Sequence, residues 1–222
     1  MQNIIPVTFK STRNAYFAAR YLEEISAYPM FAWDFEVAVK FTKEELEGFK
    51  EELLRPPTKQ RKIELEACLS ATALGHPSYC TITHCSIAIS DREAYVFILD
   101  NPAITKRVLN FLSTSTQKQL IHNATFDFKH LYFHTGKMPS NYEDTQIFAK
   151  TILNHVEVHK ATTGLKELVT CYGQWGIAVE NFSIEHMYAP HVLKYSATDA
   201  CACFYLYEGL LEHCNTSNTL TT

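Results

Sequence analysis

Between Met30 and Val39 the chain reads Met-Phe-Ala-Trp-Asp-Phe-Glu-Val-Ala-Val, an apolar run broken by two acids on alternate positions and preceded by Pro29. A run of this kind is a buried strand, and its period of two puts Asp34 and Glu36 on one face. Burying an unpaired carboxylate costs several kcal/mol, so the surroundings must supply arginines, protons or metal ions. Two further acids stand in similar apolar settings, Asp127 after Phe126 and Asp199 within Tyr195-Ser196-Ala197-Thr198-Asp199-Ala200. Four buried carboxylates imply divalent cations. Oxygen donors with no thiolate or imidazole in the same segments favour Mg²⁺ or Mn²⁺ over zinc. Two such ions about 3.5–4 Å apart are the usual device for in-line attack at phosphorus, which points to phosphodiester hydrolysis. Tyr195, four residues before Asp199, shares its helix face, and its phenol is placed to orient a water.

The remaining pattern alternates strands and helices. Helices are predicted over Thr12–Ala27, from a capping box at Thr42 to about Leu54, and over Arg61–Leu74, with Pro56-Pro57 between the last two. Tyr79–Ile89 and Ala94–Leu99 read as a β-hairpin about Ser90-Asp91-Arg92. A helix after Pro102, a strand over Gln119–His122 and a helix opening at Asn123 form an α/β unit. A short strand at Tyr142–Thr145 then precedes helices over Gln146–Leu153, Leu165–Tyr172 and His191–His213. No linker rich in Gly, Ser or Pro divides the 222 residues, so one domain is expected over 1–222, ending in a polar tail at about 215–222.

Three of these segments resemble the DEDDy family of 3′-5′ exonucleases, the DnaQ-like, ribonuclease H-like nucleases that include the proofreading domains of family A DNA polymerases. Asp34-Phe35-Glu36 matches the first motif, D-x-E. Asn123-Ala124-Thr125-Phe126-Asp127 matches the second, N-x-x-F-D, and Tyr195-Ser196-Ala197-Thr198-Asp199 the third, Y-x-x-x-D. Glu143-Asp144-Thr145, Ile152-Leu153-Asn154 and Gly164-Leu165-Lys166-Glu167-Leu168 add likeness to the polymerase-type branch, so that the resemblance runs from Phe31 to Leu211. It implies a mixed α/β sheet flanked by helices, with Asp34, Glu36, Asp127 and Asp199 as ligands of two Mg²⁺ or Mn²⁺ ions. Tyr195 would position the attacking hydroxide, Asn123 would contact the terminal nucleotide, and the products would be nucleoside 5′-monophosphates. Phe35 and Phe126 are candidate substrate contacts beside the motifs, against the plainer reading of both as core aromatics. Strand parity favours the core for Phe35 in particular.

The expected substrate is single-stranded DNA or a frayed 3′ end, with RNA as the alternative because trimming enzymes of the ribonuclease D type share the third motif. A non-catalytic nucleic-acid-binding or adaptor module on the same fold is the rival from another class. Met1 and the polar tail suit a free-standing protein, phage or bacterial and cytoplasmic, working beside a polymerase or other replication protein. Two departures stand out. Val37 occupies a place where such nucleases often carry Thr, and a charged helical insertion fills about 40–78 after the first strand. Lys43, Lys50, Arg55, Lys59, Arg61 and Lys62 in that insertion either line the path of a strand or form a solvated face.

The histidine pairs His130/His134 and His155/His159 have zinc-like i, i+4 spacing but no completing ligand nearby, and His159 with Lys160 precedes the helix at Leu165. The seven cysteines (68, 80, 85, 171, 201, 203 and 214) include no C-x-x-C pair and read as reduced, packing thiols. No apolar run reaches the roughly 18 residues of a spanning helix. The formal charge of −4 excludes binding of nucleic acid through a general excess of positive charge. Setting aside the four motif acids, acidic and basic residues balance at 20 each, which suits local, metal-mediated engagement of one chain end.

Overall fold

The computed structural model describes residues 7–152, 163–172 and 187–219. Its strands are β1 (Thr8–Thr12), β2 (Met30–Val39), β3 (Cys80–Ala88), β4 (Glu93–Ile98), β5 (Lys118–Ile121) and β6 (Tyr142–Asp144). They form one sheet in the order β1-β4-β3-β2-β5-β6. Only β3 runs against its neighbours; the β1/β4, β2/β5 and β5/β6 pairings are parallel. The helices are α1 (Ala15–Ser26), α2 (Lys43–Leu54), α3 (Lys59–Ala73), α4 (Pro102–Thr114), α5 (Ala124–Thr135), α6 (Thr145–Ile152), α7 (Leu165–Tyr172) and α8 (Pro190–Thr219).

The alternation along β2 divides the core in two. Phe31, Trp33 and Phe35 point to one face and pack with Ile25 of α1, Leu112 of α4 and Leu131 of α5. Full burial of an aromatic of this size contributes roughly 2–3 kcal/mol. The Trp33 indole N–H donates to Gln119 Oε1 at 2.8 Å, so its polar handle is satisfied within the core. Ala32 points the other way, joining Ala88, Ala94 and Val96 beneath Ala197, Ala200 and Cys201 of α8. Small side chains on both surfaces let α8 lie close to the sheet, on the face to which Asp34 and Glu36 belong.

Local chemistry accounts for the helix starts. Asn14 Oδ1 accepts from the Tyr16 and Phe17 N–H groups, and Thr42 with Glu45 forms the expected reciprocal capping box. Two readings of the sequence need correction. β1 had no place in them: it is a mostly exposed edge strand, and without a buried face it carries no alternation of apolar residues to read. It also makes β2, the strand of Asp34, the second in the chain. In addition, α8 continues to Thr219, taking up much of the expected tail. Among the described residues no helix is long and apolar enough to cross a membrane.

Candidate active site

β2 presents Asp34 and Glu36 two residues apart, both partly buried. Immediately after Glu36 its register with β3 shifts, from Glu36 opposite His84 to Val37 opposite Ile82, leaving Thr83 as a bulge. The Thr83 hydroxyl donates to the Glu36 carbonyl at 3.1 Å. A bulge re-aims the strand locally, here at the edge of the acidic pair. α8 brings Asp199 against this face, and carboxylate oxygens of Asp34, Glu36 and Asp199 lie within 4.8 Å of one another. Asp127 enters from the first turn of α5. Its Oδ1 accepts the Phe35 backbone N–H at 3.1 Å, which ties the helix start to the acidic strand. All four acids line one cavity of about 300 Å³, with Asn123, Phe126, His122, Gln146 and Gly164 around them.

The carboxylates raise one another's proton affinity. Asp34 is held well above the ordinary range by burial, then by the charges of Asp127, Glu36 and Asp199. Glu36 is raised by burial and Asp199, and Asp127 and Asp199 chiefly by burial. Glu36 Oε1 and Asp199 Oδ1 are buried with no hydrogen-bond partner among the described residues. Buried orphan oxygens are costly. Converging oxygens of three carboxylates fit hard divalent cations, which would satisfy both orphans at once.

One cation belongs to the protein itself, and reading the sequence gave it no role. Lys166, on α7, sits 3.6 Å from Asp199 Oδ2 and donates to Tyr195 Oη at 2.5 Å. Lys166 is thus the cation paired with Asp199. Burial and the charges of Asp199 and Glu36 push the Tyr195 phenol well up, so it stays protonated. Asp144 was also missed as a structural hub. Buried at the end of β6, it accepts the backbone N–H groups of Asn123, Ala124 and Gln146 at 2.9–3.1 Å, and so fixes the starts of α5 and α6. Asn123 itself takes a left-handed backbone (φ 59°) without a side-chain cap, leaving its exposed amide at the cavity. A non-glycine residue held there is uncommon and concentrates at functional sites.

Other candidates fall elsewhere. Phe126 is partly buried on the cavity wall. Phe35 borders the same cavity, but its ring is 3 % exposed and packs edge-on against Trp33, so it faces the site through its backbone. His130 is fully buried and bonds the Gly75 carbonyl. Among the described residues the only cluster suited to a metal is Asp34/Glu36/Asp199. His155, His159, Lys160 and Leu153-Asn154 lie outside the described residues. In the insertion, Arg61 pairs with Glu52 and Glu64, Lys50 with Glu47 and Lys62 with Glu66, so these cations form a solvated, self-neutralised face. The cysteines whose side chains are described are all free thiols.

Residues 72–215 match the family model described as 3′-5′ exonuclease. The chain belongs to that 3′-5′ exonuclease family. The matched stretch contains Asp127, Tyr195 and Asp199. Asp34 and Glu36 lie upstream of it, beyond most of the insertion. Among solved structures, Brucella melitensis NrnC with bound Mg²⁺ is similar at 16% identity and a TM-score of 0.59, covering 97% of this chain and 84% of its own. Trypanosoma brucei RNase D is similar at 15% identity and a TM-score of 0.60, covering 91% and 64%. The catalytic core of RRP6 from Trypanosoma brucei gives 12%, 0.61, 94% and 48%. No curated protein sequence matches the chain. The expected ribonuclease H-like α/β fold is thereby established, and the protein is an exonuclease of the DEDD type, a family that uses divalent metals.

Proposed function

We propose that the protein removes nucleotides one at a time from the 3′ end of single-stranded nucleic acid, with Asp34, Glu36, Asp127 and Asp199 holding two Mg²⁺ or Mn²⁺ ions. The observation that carries this reading is the convergence of three carboxylates within 4.8 Å, two of them with a buried, unpartnered oxygen. When bound, the ions supply an activated water and stabilisation of the departing 3′ oxygen.

The chain's own groups do the rest. Asp127, anchored by the Phe35 N–H, keeps the start of α5 at the strand of Asp34. Tyr195 accepts from Lys166 and hydrogen-bonds Asp199, which holds its phenol beside the acids, where it orients the attacking water. Asn123, on its left-handed turn, offers an amide to the terminal nucleotide. Phe126 offers a face for its base, since base–aromatic stacking tolerates any sequence.

Single-stranded DNA is the first substrate, on the strength of the polymerase-type segments around Asp144 and Lys166. A second reading, RNA, is favoured by the similarity to an RNase D solved with RNA U12. Incubating 5′-labelled DNA and RNA of one sequence with Mg²⁺ or Mn²⁺ tests both. Faster 3′ shortening of DNA is expected. Faster shortening of RNA reverses the preference, and shortening of neither removes the exonuclease reading.

A further inference from the structure

The role of the α2–α3 insertion emerges where it ends. α2 buries none of its residues and α3 only Leu65 and Thr72, and the hairpin is tied to α5 at its exit. There the Gly75 N–H bonds Thr72 O at 3.0 Å and the His76 N–H bonds Ala71 O at 2.8 Å, with Gly75 at φ +63°. This left-handed helix stop is a conformation that favours glycine. Its next two carbonyls turn towards α5. Lys129 Nζ donates to Leu74 O at 2.5 Å, and His130 Nε2 bonds Gly75 O at 2.9 Å.

Between these two anchors lies Phe126. A Cβ on Gly75 would stand 2.9 Å from Phe126 Cε2 and 3.3 Å from Cζ, so the edge of the ring rests directly on the glycine. Lys129 Nζ sits 4.3 Å from the centroid of the same ring, and the His130 ring is 5.5 Å away. Phe126 also lines the cavity of the four acids. The ring is therefore braced from behind by the insertion while it borders the site.

We infer that the insertion is a wall of the substrate pocket: its Gly75 turn sets Phe126 as the platform on which the base of the 3′-terminal nucleotide stacks. This rests on the exonuclease reading, because the base must come from a chain end held at the acids. It also separates the insertion's role from its surface charge, which is largely neutralised within the hairpin. A methyl group at residue 75 pushes the ring out of its rest position, and the loss falls on base binding.

The test is fluorescence anisotropy of a 5′-labelled single-stranded oligonucleotide in Ca²⁺, with cleavage in Mg²⁺ measured in parallel. Gly75→Ala is expected to raise Kd about fivefold to tenfold, a fraction of one lost stack. Its Kd should match the wild type for an oligonucleotide whose 3′-terminal residue is abasic. Lys129→Met, which leaves the glycine turn intact, should shift Kd in the same direction and serves if Gly75→Ala does not fold. Equal Kd values for wild type and Lys129→Met, or an equal loss on the abasic end, overturn the inference. Failure of the wild type to cleave overturns the exonuclease reading instead, and the binding comparison still decides the role of the turn.

Discussion

The Lys166 ammonium donates a hydrogen bond to the Tyr195 phenol oxygen at 2.5 Å while lying 3.6 Å from Asp199 Oδ2. An ammonium has no lone pair to offer, so the phenol oxygen is the acceptor and its hydrogen is directed away from Lys166. Lys166 therefore positions Tyr195, and it also balances the charge of Asp199, an acid of the cluster suited to a metal. Lys166→Met should lower kcat about tenfold or more, within the range for a misplaced proton-handling group, and strengthen Mn²⁺ binding by removing a competing cation. Steady-state rates and calorimetric titration with Mn²⁺ check both. Unchanged kcat with weaker Mn²⁺ binding contradicts the assignment.

Tyr195→Phe separates the phenol from the metal site. It keeps the ring and removes only the hydroxyl, so kcat should fall by about 10²-fold with Mn²⁺ affinity little changed. A rate equal to that of the wild type removes Tyr195 from the mechanism.

Asp34, Glu36 and Asp199 converged from two distant segments of sequence because burying acids in apolar runs is a pattern that packing alone does not produce. β2 was legible for the same reason, and Thr42 announced α2 through its capping box. Lys166 was not legible as a site residue: its local sequence is an ordinary helix start, and its pairing spans 29 positions to Tyr195. Asp144 acquires its role only once β6 lies beside β5. β1 was hidden because an exposed edge strand needs no apolar face. The brace of Gly75 against Phe126 depends on a contact between segments that no local pattern encodes.

The acidic cluster makes stability depend on pH and metal together. Glu36 and Asp127 are raised to about 8 in the fold, against roughly 4 for an unfolded carboxylate. Groups shifted in this sense bind more protons folded than unfolded, so their contribution is fully present below about pH 4 and lost as the pH rises towards 8. In the metal-free protein Tm should therefore fall between about pH 6 and 8. Mg²⁺, which binds the ionised form, should raise Tm more at the higher pH. Scanning calorimetry with EDTA or Mg²⁺ at both pH values checks this; an equal Mg²⁺ effect at the two contradicts it.

Asp144→Ala tests the support beneath the site. It leaves the first N–H groups of α5 and α6 without their shared acceptor, at about 2–4 kcal/mol for lost caps with buried donors. For a chain of this size that lowers Tm by roughly 5–15 °C, read by thermal melts. A shift under about 2 °C would falsify the hub role.

The central claim is that buried acids, loaded with divalent metal, hydrolyse the last phosphodiester of a 3′ end. It is tested most directly by the products from a 5′-labelled single-stranded oligonucleotide, comparing the wild type in Mg²⁺, the wild type in EDTA, and Asp34→Ala in Mg²⁺. The account predicts a ladder shortened from the 3′ end with release of nucleoside 5′-monophosphates in the first reaction alone. A ladder of equal intensity from Asp34→Ala or in EDTA, or release of 3′-monophosphates, contradicts it.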